Sequence, residues 1–184
     1  LSVGSTAPHG RRNPPALGLY GVGSMNPHIF MGNPSQAFSR SNRHTANDQS
    51  YILDEEVEFP DGKLITSRTN LNGIITHANE AFVTMSAWSR EELIGQPHSI
   101  LRHPDMPKAA FADLWHTVSK GEKWHGYVKN LRKDGRYYWV YATVIPNIRN
   151  GKIEGYTSVR RRASAAMVAE ISDYYQQLCA QERD

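Results

Sequence analysis

The chain has 184 residues, 39% hydrophobic and 21% charged, enough for one domain with a real core and an appendage. Its formal charge of +3 sits wholly in residues 1–50, where Arg11, Arg12, Arg40 and Arg43 face only Asp48, while residues 51–184 balance at 17 basic and 17 acidic side chains. A balanced folded part lacks the basic stripe that a nucleic acid requires, no apolar run nears the roughly 18–20 residues of a membrane span, and one cysteine excludes an internal disulfide framework.

Residues 1–50 hold 11 of the 24 Gly and Pro residues and show no sustained apolar period. Such a segment cannot offset its ordering entropy, so a disordered or loosely draped leader is expected. No signal peptide opens it, and Gly23-Ser24 before Met25 resembles a cloning junction.

From residue 51 the pattern becomes regular. Leu64–Asn70 is rich in β-branched residues, Asn72-Gly73 offers a tight turn, and Ile74–His77 returns, which predicts a hairpin. Asn79–Ser86 places Ala81, Phe82 and Met85 at helical spacing. Ser89-Arg-Glu-Glu92 reads as a capping box for a second short helix, closed by Gly95. Pro107 opens a longer helix with Phe111, Leu114, Trp115 and Val118 on one face and Gly121 at its end. Strands are then expected at Trp124–Arg132, Tyr137–Ile145 and Ile153–Arg161, joined at Asp134-Gly135 and Asn150-Gly151. Ser164 caps a last helix with Met167, Ile171, Tyr174 and Leu178 as its apolar stripe. The order predicts an α+β fold: a five-stranded antiparallel sheet with short helices over one face, plus a C-terminal helix. A small molecule would lodge between sheet and helices.

Several blocks narrow this reading. Asn72-Gly-Ile-Ile-Thr-His-Ala-Asn-Glu-Ala-Phe82, Ser89-Arg-Glu-Glu-Leu-Ile-Gly-Gln-Pro-His98, Arg102-His-Pro-Asp-Met-Pro-Lys-Ala-Ala-Phe111, Gly126-Tyr-Val-Lys-Asn130 and Tyr138-Trp139 together resemble the flavin-binding PAS domain of bacterial aerotaxis receptors. The likeness covers residues 64–162. It implies a PAS fold that holds FAD noncovalently, senses redox or oxygen-linked state and signals to the chemotaxis kinase, without being an enzyme. Members carry a membrane anchor and signalling domains downstream, so the resemblance implies a cytoplasmic domain at the inner membrane. Its partners would be a second copy (a homodimer) or downstream domains of its own chain. The expected division is a leader over 1–50, a PAS sensor over 51–162 and an amphipathic signalling helix over 163–184.

FAD presents a flat ring with polar edges and a pyrophosphate; the ring wants aromatic walls and an amide-like group, and the phosphates want cations or N–H donors. Asn130 is disfavoured mid-strand, and its amide both donates and accepts, as a ring edge whose pattern changes on reduction would require. The resemblance assigns Asn130 to that edge; a strand-end or bulge asparagine is the plain alternative. Arg102, His103 and Asp105 cluster before Pro107. Read alone, Asp105 caps the helix and His103 is structural; the resemblance implies that Arg102 and His103 contact FAD and that Asp105 braces the segment. His98 matches another flavin-retaining position. Trp115, Trp124 and Tyr138 are core residues or walls of the ring site. Asn79 is an N-cap or turns its amide to the pocket. Thr143 stands where the family pattern leads one to expect a second amide. Arg160-Arg161-Arg162 reads as a solvated strand end, or as a contact with a signalling neighbour.

Two other readings stay open: a haem gas sensor with His98, His103 or His116 as axial ligand, and a cofactor-free PAS interaction module. A photoreceptor forming a cysteinyl adduct needs a pocket thiol, and Cys179 lies in the final helix. No nucleophile–base constellation points to an enzyme.

Overall fold

The computed structural model describes residues 52–183, and the leader assigned to residues 1–50 lies outside them. Strands β1 (Ile65–Asn70) and β2 (Ile75–Ala78) form the first hairpin. The Asn70 side chain accepts the backbone N–H groups of Asn72 at 2.9 Å and Ile74 at 3.0 Å, and Gly73 takes a φ of 75°. That left-handed conformation explains the glycine there. Helix α1 (Glu80–Ser86) and helix α2 (Arg90–Leu93) follow, the latter opened by the expected capping box between Ser89 and Glu92. A 3-10 turn at His98–Leu101 leads to α3 (Lys108–Ser119). Then come β3 (Trp124–Leu131), β4 (Tyr137–Arg149), β5 (Lys152–Arg162) and α4 (Ala165–Gln181).

The strands form one antiparallel sheet in the order β2-β1-β5-β4-β3. Extended residues 53–57 run alongside the start of β4, with Val57 N–H donating to the Tyr137 carbonyl at 2.7 Å. β4 outlasts its expected end at Ile145 and passes through Pro146. Its pairing with β3 stops at Val144, so that side of β4 is open, the setting in which a strand tolerates proline.

Strand alternation gives the sheet two different faces. The inner face carries Ile65, Trp124, Asn130, Tyr138, Val140 and Ala142 beneath the layer of α1, α2, the 3-10 turn and α3. The outer face carries Tyr127, Lys129, Tyr137 and Trp139. Helix α4 packs on this outer side, with Ile171 and Leu178 of the expected stripe against it and Val168 and Tyr175 in place of the expected Met167 and Tyr174. Tyr175 and Cys179 are its buried residues, while Tyr174 is 38% exposed. Tyr175 stacks on Trp139 with centroids 6.4 Å apart and donates its hydroxyl to the Tyr127 carbonyl at 2.8 Å.

Just past α4, the Glu182 carboxylate accepts the N–H groups of Lys108 at 2.9 Å and Ala109 at 2.8 Å. These are first-turn donors of α3 that have no partner inside their own helix. The expectation that Asp105 caps α3 is therefore corrected: Pro107 occupies the N-cap position without a side-chain bond, and Glu182, distant in sequence, satisfies the helix end.

Candidate functional site

The inner face gathers polar groups from four strands and the 3-10 turn. Asn130 on β3 pairs across the ladder with Tyr138 on β4, and both are buried. Arg160 on β5 lies between Ile65 of β1 and Ala142 of β4 and is 2% exposed. Its Nη2 donates to the Ser67 hydroxyl on β1, and the guanidinium carbon sits 4.4 Å above the centre of the Phe82 ring. The His98 ring stacks on Phe82 with centroids 5.8 Å apart and puts Nε2 at 3.4 Å from the Ser67 hydroxyl.

Several of these groups lack partners. Asn130 Nδ2, the Tyr138 hydroxyl, and Nε and Nη1 of Arg160 are buried with no hydrogen bond. Such groups are rare in folded proteins because each costs about 1–3 kcal/mol when left unpaired. The electrostatics follow from the same burial. Desolvation pushes the Tyr138 phenol up to about 12, against the lowering pull of the Arg160 and Arg132 charges and of the Asn130 amide, which lies beside it without a well-formed hydrogen bond. Desolvation, helped by the Arg160 charge, pushes His98 down to about 3, so the imidazole is neutral at physiological pH. Arg160 itself is lowered by desolvation to about 10 and stays charged.

Aromatic residues border this cluster. Trp115 meets Tyr156 edge-on at 5.5 Å. The Trp124 ring lies across Gly126, where a Cβ would fall 2.3 Å from the indole, and its Nε1 donates to Asp113 at 2.8 Å.

The Arg102–Asp105 segment crosses the β3 edge, and its residues part there. Arg102 bridges Asn130 through the backbone, while its exposed side chain lays the guanidinium carbon 3.9 Å over Phe111. His103 and Asp105 turn to the outer side. The Asp105 carboxylate accepts from Lys129 Nζ at 2.7 Å, and the Asp105 N–H donates to His103 Nδ1 at 3.1 Å. Burial alone would raise Asp105, but the hydrogen bond and charge of Lys129 prevail and hold it below its ordinary value. Desolvation and the Lys129 charge push His103 down to about 4. Both residues line an outer cleft of about 1280 Å³ between residues 52–59, β4 and α4, which includes neither Asn130 nor Arg160.

The expected residues thus separate. The structure brings Asn130, Tyr138, His98, Trp115 and Trp124 to the inner side, with Arg102 at its rim, but not His103 or Asp105. Of its two expected readings, Asn79 takes that of the α1 N-cap: its Oδ1 accepts from Phe82 N–H at 3.0 Å and Thr66 N–H at 3.1 Å, and its Nδ2 donates to the Leu64 carbonyl at 2.9 Å. Those bonds occupy the amide. Thr143, where the family pattern leads one to expect a second amide, faces the outer side, its hydroxyl 3.0 Å from His125 Nδ1. Arg160 is the residue that sequence reading missed. Counting by twos from Tyr156 through Ser158 puts it on the Ser67 side, whereas treating three arginines as one solvated block hides that parity. Cys179 lies on the buried side of α4, its thiol 3.5 Å from the Asp105 carbonyl.

Residues 75–160 match the family described as PAS fold. Over 130 residues the chain is 48% identical to the Aerotaxis receptor of Escherichia coli (strain K12), which covers 71% of this chain and 26% of that receptor. The chain therefore spans about a quarter of the receptor's length. The PAS domain of a Colwellia psychrerythraea protein is 27% identical with a TM-score of 0.51, over 54% of this chain and 86% of that one. A light-oxygen-voltage domain studied with a flavin analogue shares the fold with a TM-score of 0.53 at 19% identity, over 62% of this chain and 86% of its own. The chain carries a PAS domain, related in sequence to part of the aerotaxis receptor.

Proposed function

We propose that the chain is a sensory PAS module that binds FAD noncovalently between the inner sheet face and α1–α3 and reports redox or oxygen-linked state. The observation that carries this reading is the set of buried, unpartnered polar groups at Asn130, Tyr138 and Arg160. A flavin ring edge, with its carbonyls and ring N–H, offers the acceptors and donors these groups lack. Bound FAD would supply reversible electron uptake.

The chain's residues then divide the work. Asn130 meets the ring edge with an amide that serves either protonation state, and Tyr138 adds a hydroxyl beside it. Trp115 and Trp124 wall the ring, while neutral His98 packs near it without adding charge. Arg102, exposed at the rim, is placed for the pyrophosphate. His103, Asp105 and Lys129 hold the Arg102 segment from the far side of β3 and act by positioning. A haem is served less well: His98 engages Ser67, His116 is exposed with Nε2 2.7 Å from Lys120 Nζ, and His103 faces outward.

On this reading residues 51–162 are the sensor and residues 163–184 pass the change to downstream domains or to a second copy, at the cytoplasmic side of a membrane. No described helix is long and apolar enough to cross one. Electron uptake is here a signal and not turnover.

The test is the absorption spectrum of the purified chain, followed by release and chromatography of its chromophore. The expected result is the two-band spectrum of oxidised flavin and release of FAD. Asn130→Ala should weaken FAD at least about tenfold, equivalent to about 1.4 kcal/mol. A folded, colourless chain that takes up no added FAD overturns the reading, a single Soret band replaces it with haem, and released FMN corrects the cofactor.

A further inference from the structure

Arg160 differs from every other shielded arginine among the described residues. Arg132, whose side chain is only 9% exposed, spends its donors on the Asp134 carboxylate and the Met85 carbonyl. Arg160 lies deeper, makes one side-chain hydrogen bond, to Ser67, and keeps Nε and Nη1 unpartnered. No carboxylate pairs with it among the described residues, and its ionisable neighbours are Tyr138 and His98. Neither supplies a negative charge, because the phenol is held protonated and the imidazole neutral. The compensation for Arg160 within the chain is the Phe82 ring face and the Ser67 hydroxyl; a buried cation left with two free donors and no counter-charge opposes folding and is suited to a partner outside its own contacts.

We infer, resting on the FAD reading above, that Arg160 is a specificity-determining binding residue whose free N–H groups take the carbonyl edge of the ring and whose charge favours the reduced ring. The electron balance fits that role. An oxidised flavin that accepts two electrons from a low-potential donor and one proton from solvent becomes a monoanion, with its charge spread toward a ring carbonyl. The fixed guanidinium stabilises this form more than the neutral oxidised one. Cross-strand neighbours hold Arg160 on the same inner face as Tyr138 and Asn130, so it grips the ring edge that those groups flank. The phosphate end is left to Arg102.

The experiment compares the 184-residue wild type with Arg160→Met and Arg160→Lys by three readouts. These are thermal unfolding without FAD, FAD titration followed by flavin fluorescence, and the midpoint potential of bound FAD during stepwise dithionite reduction. Arg160→Met should unfold, without FAD, at the wild-type temperature or above, since it removes an uncompensated buried charge. It should bind FAD at least about tenfold more weakly. Its midpoint should fall by about 30 mV, the two-electron equivalent of a tenfold loss of preference for reduced flavin. Arg160→Lys, which keeps the charge and loses the fork, should recover the potential more than the affinity. If Arg160→Met does not fold, the lysine variant's affinity decides. Wild-type affinity and potential in whichever variant folds overturns the inference while leaving the FAD reading intact. A wild type that takes up no FAD sinks the FAD reading instead; the unliganded unfolding temperature of Arg160→Met then still separates a ligand-directed arginine from a structural one.

Discussion

Lowering the pH from 7 to 5 should cost the unliganded chain about 4 kcal/mol of stability, through two histidines on opposite sides of β3. In the folded chain, His98 is held down to about 3 and His103 to about 4, in both cases chiefly by desolvation. In the unfolded chain each imidazole returns to about 6.5. The sign follows from proton counting. Below about pH 6.5 the unfolded chain takes up protons that the folded chain refuses, so stability is full above that pH and falls as pH drops toward the folded values. For one such histidine the loss between pH 7 and 5 is about 2 kcal/mol, and the two together approach 4. Asp105 and Asp134 sit below their ordinary values and add their own losses only at lower pH, outside this window. With a urea slope near 2 kcal/mol per molar, the unfolding midpoint should drop by about 2 M between the two pH values. Urea titrations at pH 7, 6 and 5 measure this directly, and a His98→Gln/His103→Gln double variant should flatten the trend. A wild-type loss below about 1 kcal/mol would refute the claim that both rings are desolvated and neutral in the folded chain.

Two further outcomes follow from groups at either end of the site. Tyr138→Phe removes a fully buried hydroxyl that has no partner and leaves the ring in the core. The unliganded chain should gain about 1 kcal/mol, and a loss of that size in thermal unfolding would show that the hydroxyl is already bonded. Glu182→Ala removes both side-chain acceptors at the start of α3. Stability should fall by about 0.5–1 kcal/mol, and hydrogen exchange at the Lys108 and Ala109 amides should accelerate. Unchanged exchange at those two amides would mean that Glu182 does not hold the helix.

The hairpins and the short capped helix were legible because they depend on local chemistry. Asn150 and Gly151 both adopt positive φ, at 50° and 74°, which is what a two-residue hairpin turn selects Asn-Gly for. The Ser89–Glu92 box closes on itself within four residues. Asn130 stood out because an amide mid-strand conflicts with strand propensity, a conflict that local pattern exposes. Other features depend on partners far along the chain. Asn79 looks equally free or engaged until Leu64 and Thr66, at the start of the first hairpin, come beside it and take both ends of its amide. His103 and Asp105 follow Arg102 directly, yet the chain's passage over the β3 edge puts them across from it, and their fate is set by Lys129. In α4, Ile171 and Leu178 keep the apolar period, while the choice of Tyr175 over Tyr174 comes from Trp139 and Tyr127 on the outer face. Arg160 lay between these cases: its parity was readable, but its lack of a counter-charge needed the whole inner face.

The Glu182 contact gives α4 a mechanical character that its sheet packing alone would not. The helix starts at the end of β5, the strand bearing Arg160, and finishes on the first turn of α3, the helix bearing Trp115. It works as a tie-rod running round the outside of the sheet, fastened at the two places that flank the inner cluster. Sliding of α3 against β5 must then stretch, tilt or unfasten this rod. A shift of α3 relative to β5 is thereby tied to α4 on the opposite side of the sheet, where Tyr175 rests on Trp139.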